Sequence, residues 1–184
     1  MFLRIGEERG NMKKIIAVLI CILFVLAAFT SCGSKEKAPT GTKQVESEFL
    51  NYKLYVPKDW TVDVSTGFAA ASDSKGRSVS VTEVSPEGDY SSIDEYYRNY
   101  YWKTVSDTFA NAALTESYTE NQTLGGYPAC RYVLSFEIGG TQYTAMQVVG
   151  VHGYNLYVFT YFSSADLYAD GLETVEEILG YFAY

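Results

Sequence analysis

Apolar residues follow three different spacings along this 184-residue chain. Residues 15–29 are apolar without a break, a run of 15. That is shorter than the ~20 residues a membrane-spanning helix needs, and it matches the apolar stretch of a signal peptide. Beyond residue 48 a spacing of two predicts strands over 49–56 (stopped by Pro57), 60–64, 68–71, 77–84 and 114–123. The alternation is most regular in Cys130, Tyr132, Leu134, Phe136 and Ile138, with Arg131, Val133, Ser135 and Glu137 between them. Gly139-Gly140 then supplies a two-residue hairpin turn, because glycine takes positive φ at little cost. Pairing Ile138 with Thr141 sets Phe136 opposite Tyr143, Leu134 opposite Ala145 and Cys130 opposite Val149. A second turn at His152-Gly153 leads to a strand whose two sets, Leu156, Val158, Thr160, Phe162 and Tyr157, Phe159, Tyr161, are both apolar, so both need cover.

Helical spacing supplies that cover twice. Residues 92–110 carry a stripe of Ile93, Tyr96, Tyr97, Tyr100, Tyr101, Val105 and Phe109, and Ser92 with Glu95 forms a capping box. Residues 166–182 carry Tyr168, Leu172, Val175, Ile178, Leu179 and Phe182, with Gly171 weakening the helix by ~1 kcal/mol relative to alanine. The expected class is α+β, an antiparallel sheet with helices packed on both faces.

The front of the chain reads as an address. Lys13 and Lys14 precede the apolar run, and Thr30-Ser31-Cys32-Gly33 follows it. A small residue before a cysteine at this place resembles the bacterial lipobox, which implies cleavage before Cys32 and its acylation. Acyl chains contribute ~0.8 kcal/mol per buried CH₂, enough to hold a domain at the bilayer. The expected division is a signal peptide at 1–31, with Met12 as the true start, then a lipidated and flexible polar tether at 32–47, and one domain at 48–184. The expected location is the extracytoplasmic side of the cell membrane, with the lipid bilayer as first partner.

Three stretches resemble the PsbP-like fold superfamily, which includes PsbP, Mog and DcrB-like proteins. They are the tyrosine-containing strand running into Pro57-Lys58-Asp59-Trp60, the hairpin entry Leu124-Gly125-Gly126-Tyr127-Pro128-Ala129-Cys130-Arg131-Tyr132, and the tyrosine-rich strand and helix over residues 157–182. The resemblance implies an α/β/α sandwich and a non-catalytic role in binding another protein. It implies no catalytic residues.

Charge and chemistry narrow the function further. Residues 1–31 hold four of the 14 Lys and Arg and two of the 22 Asp and Glu, which leaves −10 on the rest. Such a surface disfavours nucleic acid, whose binding rests on neutralising phosphates. With Cys21 in the signal peptide and Cys32 acylated, Cys130 has no disulfide partner, and its apolar strand face makes it a packing residue and not a nucleophile. His152, the only histidine, is expected as a solvated turn residue without an orienting partner. Asp170, Glu173, Glu176 and Glu177 lack the glycine-bearing loop of a calcium site and read as a solvated helix face, so no metal or cofactor is expected. The aromatic helix offers the candidate interaction surface Trp102, Tyr97 and Tyr101, Trp102 above all because it lies off the packed stripe. The expected function is a membrane-anchored, non-catalytic interaction module that binds an envelope protein. The alternative is a small-molecule or glycan binder using a cleft beside Trp102.

Overall fold

The computed structural model describes residues 38–64, 68–86, 88 and 90–184. The expected signal peptide, Met12, Cys32 and the first part of the expected tether lie outside the described residues. Strands β1 (Thr42–Gln44) and β2 (Tyr55–Pro57) pair with each other. Then follow β3 (Thr61–Asp63), β4 (Ala69–Ser72) and β5 (Ser78–Val84). Helix α1 begins at Ile93–Tyr96, widens to a π-helical turn at Tyr97–Tyr101 and returns to α-helix at Trp102–Thr108. The long strands β6 (Ala110–Leu124), β7 (Tyr127–Ile138), β8 (Thr141–His152) and β9 (Asn155–Ser164) precede the terminal helix α2 (Tyr168–Tyr181).

Seven strands form one antiparallel sheet in the order β3-β4-β5-β9-β8-β7-β6. The domain is therefore α+β with a mostly antiparallel sheet. The β7–β8 register is the one the alternation predicts: Ile138 faces Thr141, Phe136 faces Tyr143, Leu134 faces Ala145 and Cys130 faces Val149. Gly139 and Gly140 sit at φ 59° and 84°, where glycine alone is unstrained. Consecutive residues of β7, β8 and β9 go to different clusters. Cys130, Tyr132, Leu134, Val149, Leu156 and Val158 pack with Tyr97 of α1, while Ala129, Met146, Val148, Tyr157 and Phe159 pack with Val175 and Ile178 of α2.

Several elements depart from expectation. The tether was expected to reach residue 47, yet Thr42–Gln44 pairs with β2 and Val45 is buried, its N–H donating to Leu54 O at 2.8 Å. Residues 49–54 are mostly loop, with the strand confined to Tyr55–Pro57. The capping box is half made. Ser92 Oγ accepts from Glu95 N–H at 3.1 Å, but the Glu95 carboxylate turns to the N–H and hydroxyl of Ser91. Among the described residues no helix is long and apolar enough to cross a membrane.

Gly171 is explained by packing. A Cβ there would lie 2.1 Å from the hydroxyl oxygen of Tyr161, a wholly buried residue whose O–H donates to Tyr168 O at 3.0 Å. The helix thus gives up propensity so that α2 can close onto β9. Gly171→Ala is expected to lower stability by about 1–3 kcal/mol through overpacking, despite alanine's better propensity. Gly180, in the same helix with nothing within 4 Å of its Cβ position, is the control. Gly180→Ala should raise stability by up to ~1 kcal/mol in the same urea titration.

Candidate functional site

Two places on the domain gather side chains with chemistry. The first is a polar knot under α1. Tyr97 is 1% exposed and stacks face to face on Tyr132, with centroids 3.6 Å apart. Its hydroxyl donates to Gln147 Oε1 at 2.6 Å, and the Gln147 amide turns back to Tyr101 and Thr160. Tyr132 donates to Asp94, which Arg98 grips with both carboxylate oxygens within 3.0 Å, and Arg98 reaches Ser117 of β6. Burial drives the hydroxyls of Tyr97, Tyr101 and Tyr132 to higher pKa, so all three stay neutral. The same cause raises the Cys130 thiol, leaving it a packing group.

The π-helical turn decides what this helix shows to solvent. Residues spaced by four on an α-helix drift ~40° per step, so Val105 and Phe109 would leave the line of Tyr97. The Trp102 N–H instead bonds to Tyr97 O, five residues back, and one extra residue in that turn resets the phase by ~100°. Val105 and Phe109 return to the packed side, and Trp102 swings round with them to lie half-buried against the same cluster. The candidate surface is corrected accordingly. Tyr97 is core, Tyr101 and Trp102 are half-buried against it, and only Tyr100 of the run, at 49%, is an exposed ring.

The second place is a groove of about 320 Å³ beside α2, lined by Glu116, Tyr118 and Gln122 of β6, Arg131 and Val133 of β7, Met146 of β8, and Tyr168, Leu172 and Glu176 of α2. Cross-strand pairing places Glu116 beside Val133 and Tyr118 beside Arg131. Past Tyr118 the register slips, with Asn121 at φ 58°, so the outer wall bends at a bulge in the edge strand. Arg131 gives Glu176 two hydrogen bonds, Nη1 to Oε1 at 2.6 Å and Nη2 to Oε2 at 3.1 Å. Its Nε–H is buried without a partner among the described residues. Glu116 accepts from the Tyr118 hydroxyl at 2.6 Å. Burial, then the nearby Glu116 carboxylate, pushes Tyr168 up to about 12.

The remaining chemistry-bearing residues stand apart. His152 ends β8 half-buried and stacks on Tyr184 at 4.3 Å, so it is a packed residue and not the solvated one expected. Of the acidic set on α2, Glu176 is taken up by Arg131, while Asp170, Glu173 and Glu177 are exposed. Among the described residues no three His, Cys, Asp or Glu side chains converge on a metal-sized site. Another cavity, lined by Gly88, Tyr90, Ser91 and Glu95, lies at the start of α1. Trp102 lines neither cavity. No local pattern in the sequence marks the groove, although Arg131 belongs to the hairpin-entry motif.

This seven-stranded antiparallel sheet, with a helix between β5 and β6 and another after β9, has a PsbP/Mog-like fold, as similarity to solved structures shows. Cyanobacterial PsbP (CyanoP) from Synechocystis matches with a TM-score of 0.55 and 18% identity, over 84% of this chain and 98% of that one. The Saccharomyces cerevisiae Ran-binding protein Mog1p matches with a TM-score of 0.55 and 11% identity, over 77% and 94%. A protein of unknown function from Pseudomonas aeruginosa matches at 0.51 and 11%, over 74% and 92%. At these identities the likeness is one of fold. No protein-family model matches the chain, and no curated protein matches its sequence.

The buried tyrosines of the two clusters yield two expected outcomes. Tyr97→Phe leaves the Gln147 carbonyl buried without its donor and should cost about 1–3 kcal/mol in urea unfolding. Alkali should unfold the domain by releasing buried tyrosines. Burial pushes Tyr52 up to about 12, so the stability it contributes is whole below the ordinary tyrosine pKa near 10 and is lost as pH rises through about 12. Tyrosinate absorbance and far-ultraviolet circular dichroism, followed together, should show a late titration step that coincides with unfolding.

Proposed function

We propose that this chain is a non-catalytic binding module, held at the outer face of the cell membrane by acylated Cys32 and engaging another protein of the envelope. The observation that carries the reading is the groove beside α2, where an apolar floor meets a charged rim on a surface that α2 leaves uncovered. Concave sites with a few placed polar groups are where ligands and partner segments bind. The fold adds support, because Mog1p, which shares it, is a Ran-binding protein. In this reading the two helices cover opposite faces of the sheet as an α/β/α sandwich. The division of alternate strand residues between the α1 and α2 clusters supports that arrangement. The surface of the module is then the groove, and the aromatic helix is a structural wall. The net −10 of residues 32–184 favours a protein partner over nucleic acid.

Two measurements test the reading. Cys32→Ser should move the chain from the membrane fraction to the soluble extracytoplasmic fraction; retention in the membrane would remove the lipid anchor from the account. A photoreactive residue in place of Tyr118, in intact cells, should give one discrete protein adduct, while the same residue in place of exposed Lys103 on α1 should give none. Equal adducts at both sites, or none at Tyr118, would overturn the assignment of the groove.

A further inference from the structure

The groove carries a charge imbalance that fits one kind of side chain. Arg131 would ordinarily make the site attractive to anions, but both terminal nitrogens are spent on Glu176. Among the described residues Glu116 has no ion pair, and it accepts a hydrogen bond from the neutral Tyr118 hydroxyl. That bond occupies Oε2 and leaves Oε1 for a ligand. Tyr118 and Tyr168 line the same space, and an aromatic wall attracts a cation through its ring. Val133, Met146 and Leu172 line the rest with apolar surface, on which a straight aliphatic stem can lie. One free carboxylate oxygen suits a compact ammonium better than the planar fork of a guanidinium, which seeks two oxygens at once.

We propose that the groove recognises the ammonium of a lysine side chain on an extended segment of a protein partner, with Glu116 as its counter-charge. This deepens the reading given above and rests on it. A further observation favours a peptide over a free amine. The groove is lined by β6, the last strand of the sheet, whose outer edge has no neighbouring strand among the described residues. An extended segment can lie along such an edge, with its backbone supplying affinity and alternate side chains supplying specificity. The acidic surface of the chain steers a basic segment toward it.

Met146 gives a local readout. It is buried at the floor of the groove, and the other two of the three methionines, Met1 and Met12, lie in the segment expected to be removed. The full chain, purified in detergent with methyl-labelled methionine, is titrated with acetyl-Ala-Val-Lys-Val-Ala-amide, with its norleucine counterpart and with butylamine. The lysine peptide should shift the Met146 methyl resonance saturably and bind about tenfold more tightly than the norleucine peptide at low salt, with the difference shrinking near ~0.5 M salt. Glu116→Gln should remove most of that preference while leaving the unliganded methyl spectrum in place, which separates loss of charge from loss of fold. Equal binding of the two peptides, an unaltered preference in Glu116→Gln, or binding that leaves Met146 unmoved would overturn the proposal. Butylamine binding as tightly as the peptide would overturn the peptide segment as occupant. A discrete adduct at Tyr118 in cells without a lysine preference keeps the interaction reading and sinks this one. A lysine preference without any adduct sinks both, because the groove then takes a lysine in solution but meets no protein partner in the envelope.

Discussion

The pairing of β5 with β9 is the contact on which the rest of the domain depends. It joins the β3-β4-β5 meander to the β6–β9 meander, and every other neighbouring pair in the large sheet is consecutive in the chain. Closing the segment between Val84 and Leu156 costs loop entropy that grows only slowly with length, but it must be met before the contacts form. The return comes from β9 itself. Leu156, Tyr157, Val158, Phe159 and Tyr161 are all at most 2% exposed, so once β5 is in place β9 has strands on both edges and clusters above and below. The absence of a side chain at Gly171 belongs to the same requirement, since α2 has to come close enough to cover Tyr161.

What was legible in the sequence follows from whether local pattern decides the outcome. The β7–β8 register was readable because alternation fixes which residues face together and Gly139-Gly140 fixes the turn, two independent signals in agreement. Strand β1 was not, because Thr42, Lys43 and Gln44 have no apolar alternation. It is held by backbone pairing to β2 and by Val45, one buried side chain at its end. The π-helical turn was also invisible, and it changed the site. Nothing in Tyr97-Arg98-Asn99-Tyr100-Tyr101 marks an added residue, and the sheet beneath selects it by rewarding Val105 and Phe109 for staying in contact. An ideal helix would have left Trp102 off the packed side, where sequence reasoning placed it.

The groove was hidden for a related reason. It depends on residues that only the fold brings together: Glu116 and Arg131 across the β6–β7 pair, and Glu176 from a helix 45 residues further on. The edge position of β6 could be inferred only from the full strand order. Its wide bulges and its exposed, mostly polar residues are the usual protection of an edge against indiscriminate pairing. They also shape the wall of the groove, so in the proposed reading protection and recognition share the same strand.

The 17 tyrosines were the most conspicuous feature of the sequence, and their role sets the aromatic helix apart from the groove. Phenylalanine would fill the same volumes, but these hydroxyls are used. Tyr52 donates to Val81 O and accepts from Ala69 N–H, Tyr161 donates to Tyr168 O, Tyr132 to Asp94 and Tyr97 to Gln147. Each bond adds only ~1 kcal/mol net, yet each fixes a ring in one orientation, because breaking it strands a buried polar atom. A core tied in this way has few alternative packings. The aromatic helix is therefore a wall that cannot readily turn its rings outward to meet a partner. Rigidity behind the sheet instead serves the other side, where Met146 and Val133, set in the same tied sheet, hold the floor of the groove in place under Glu116.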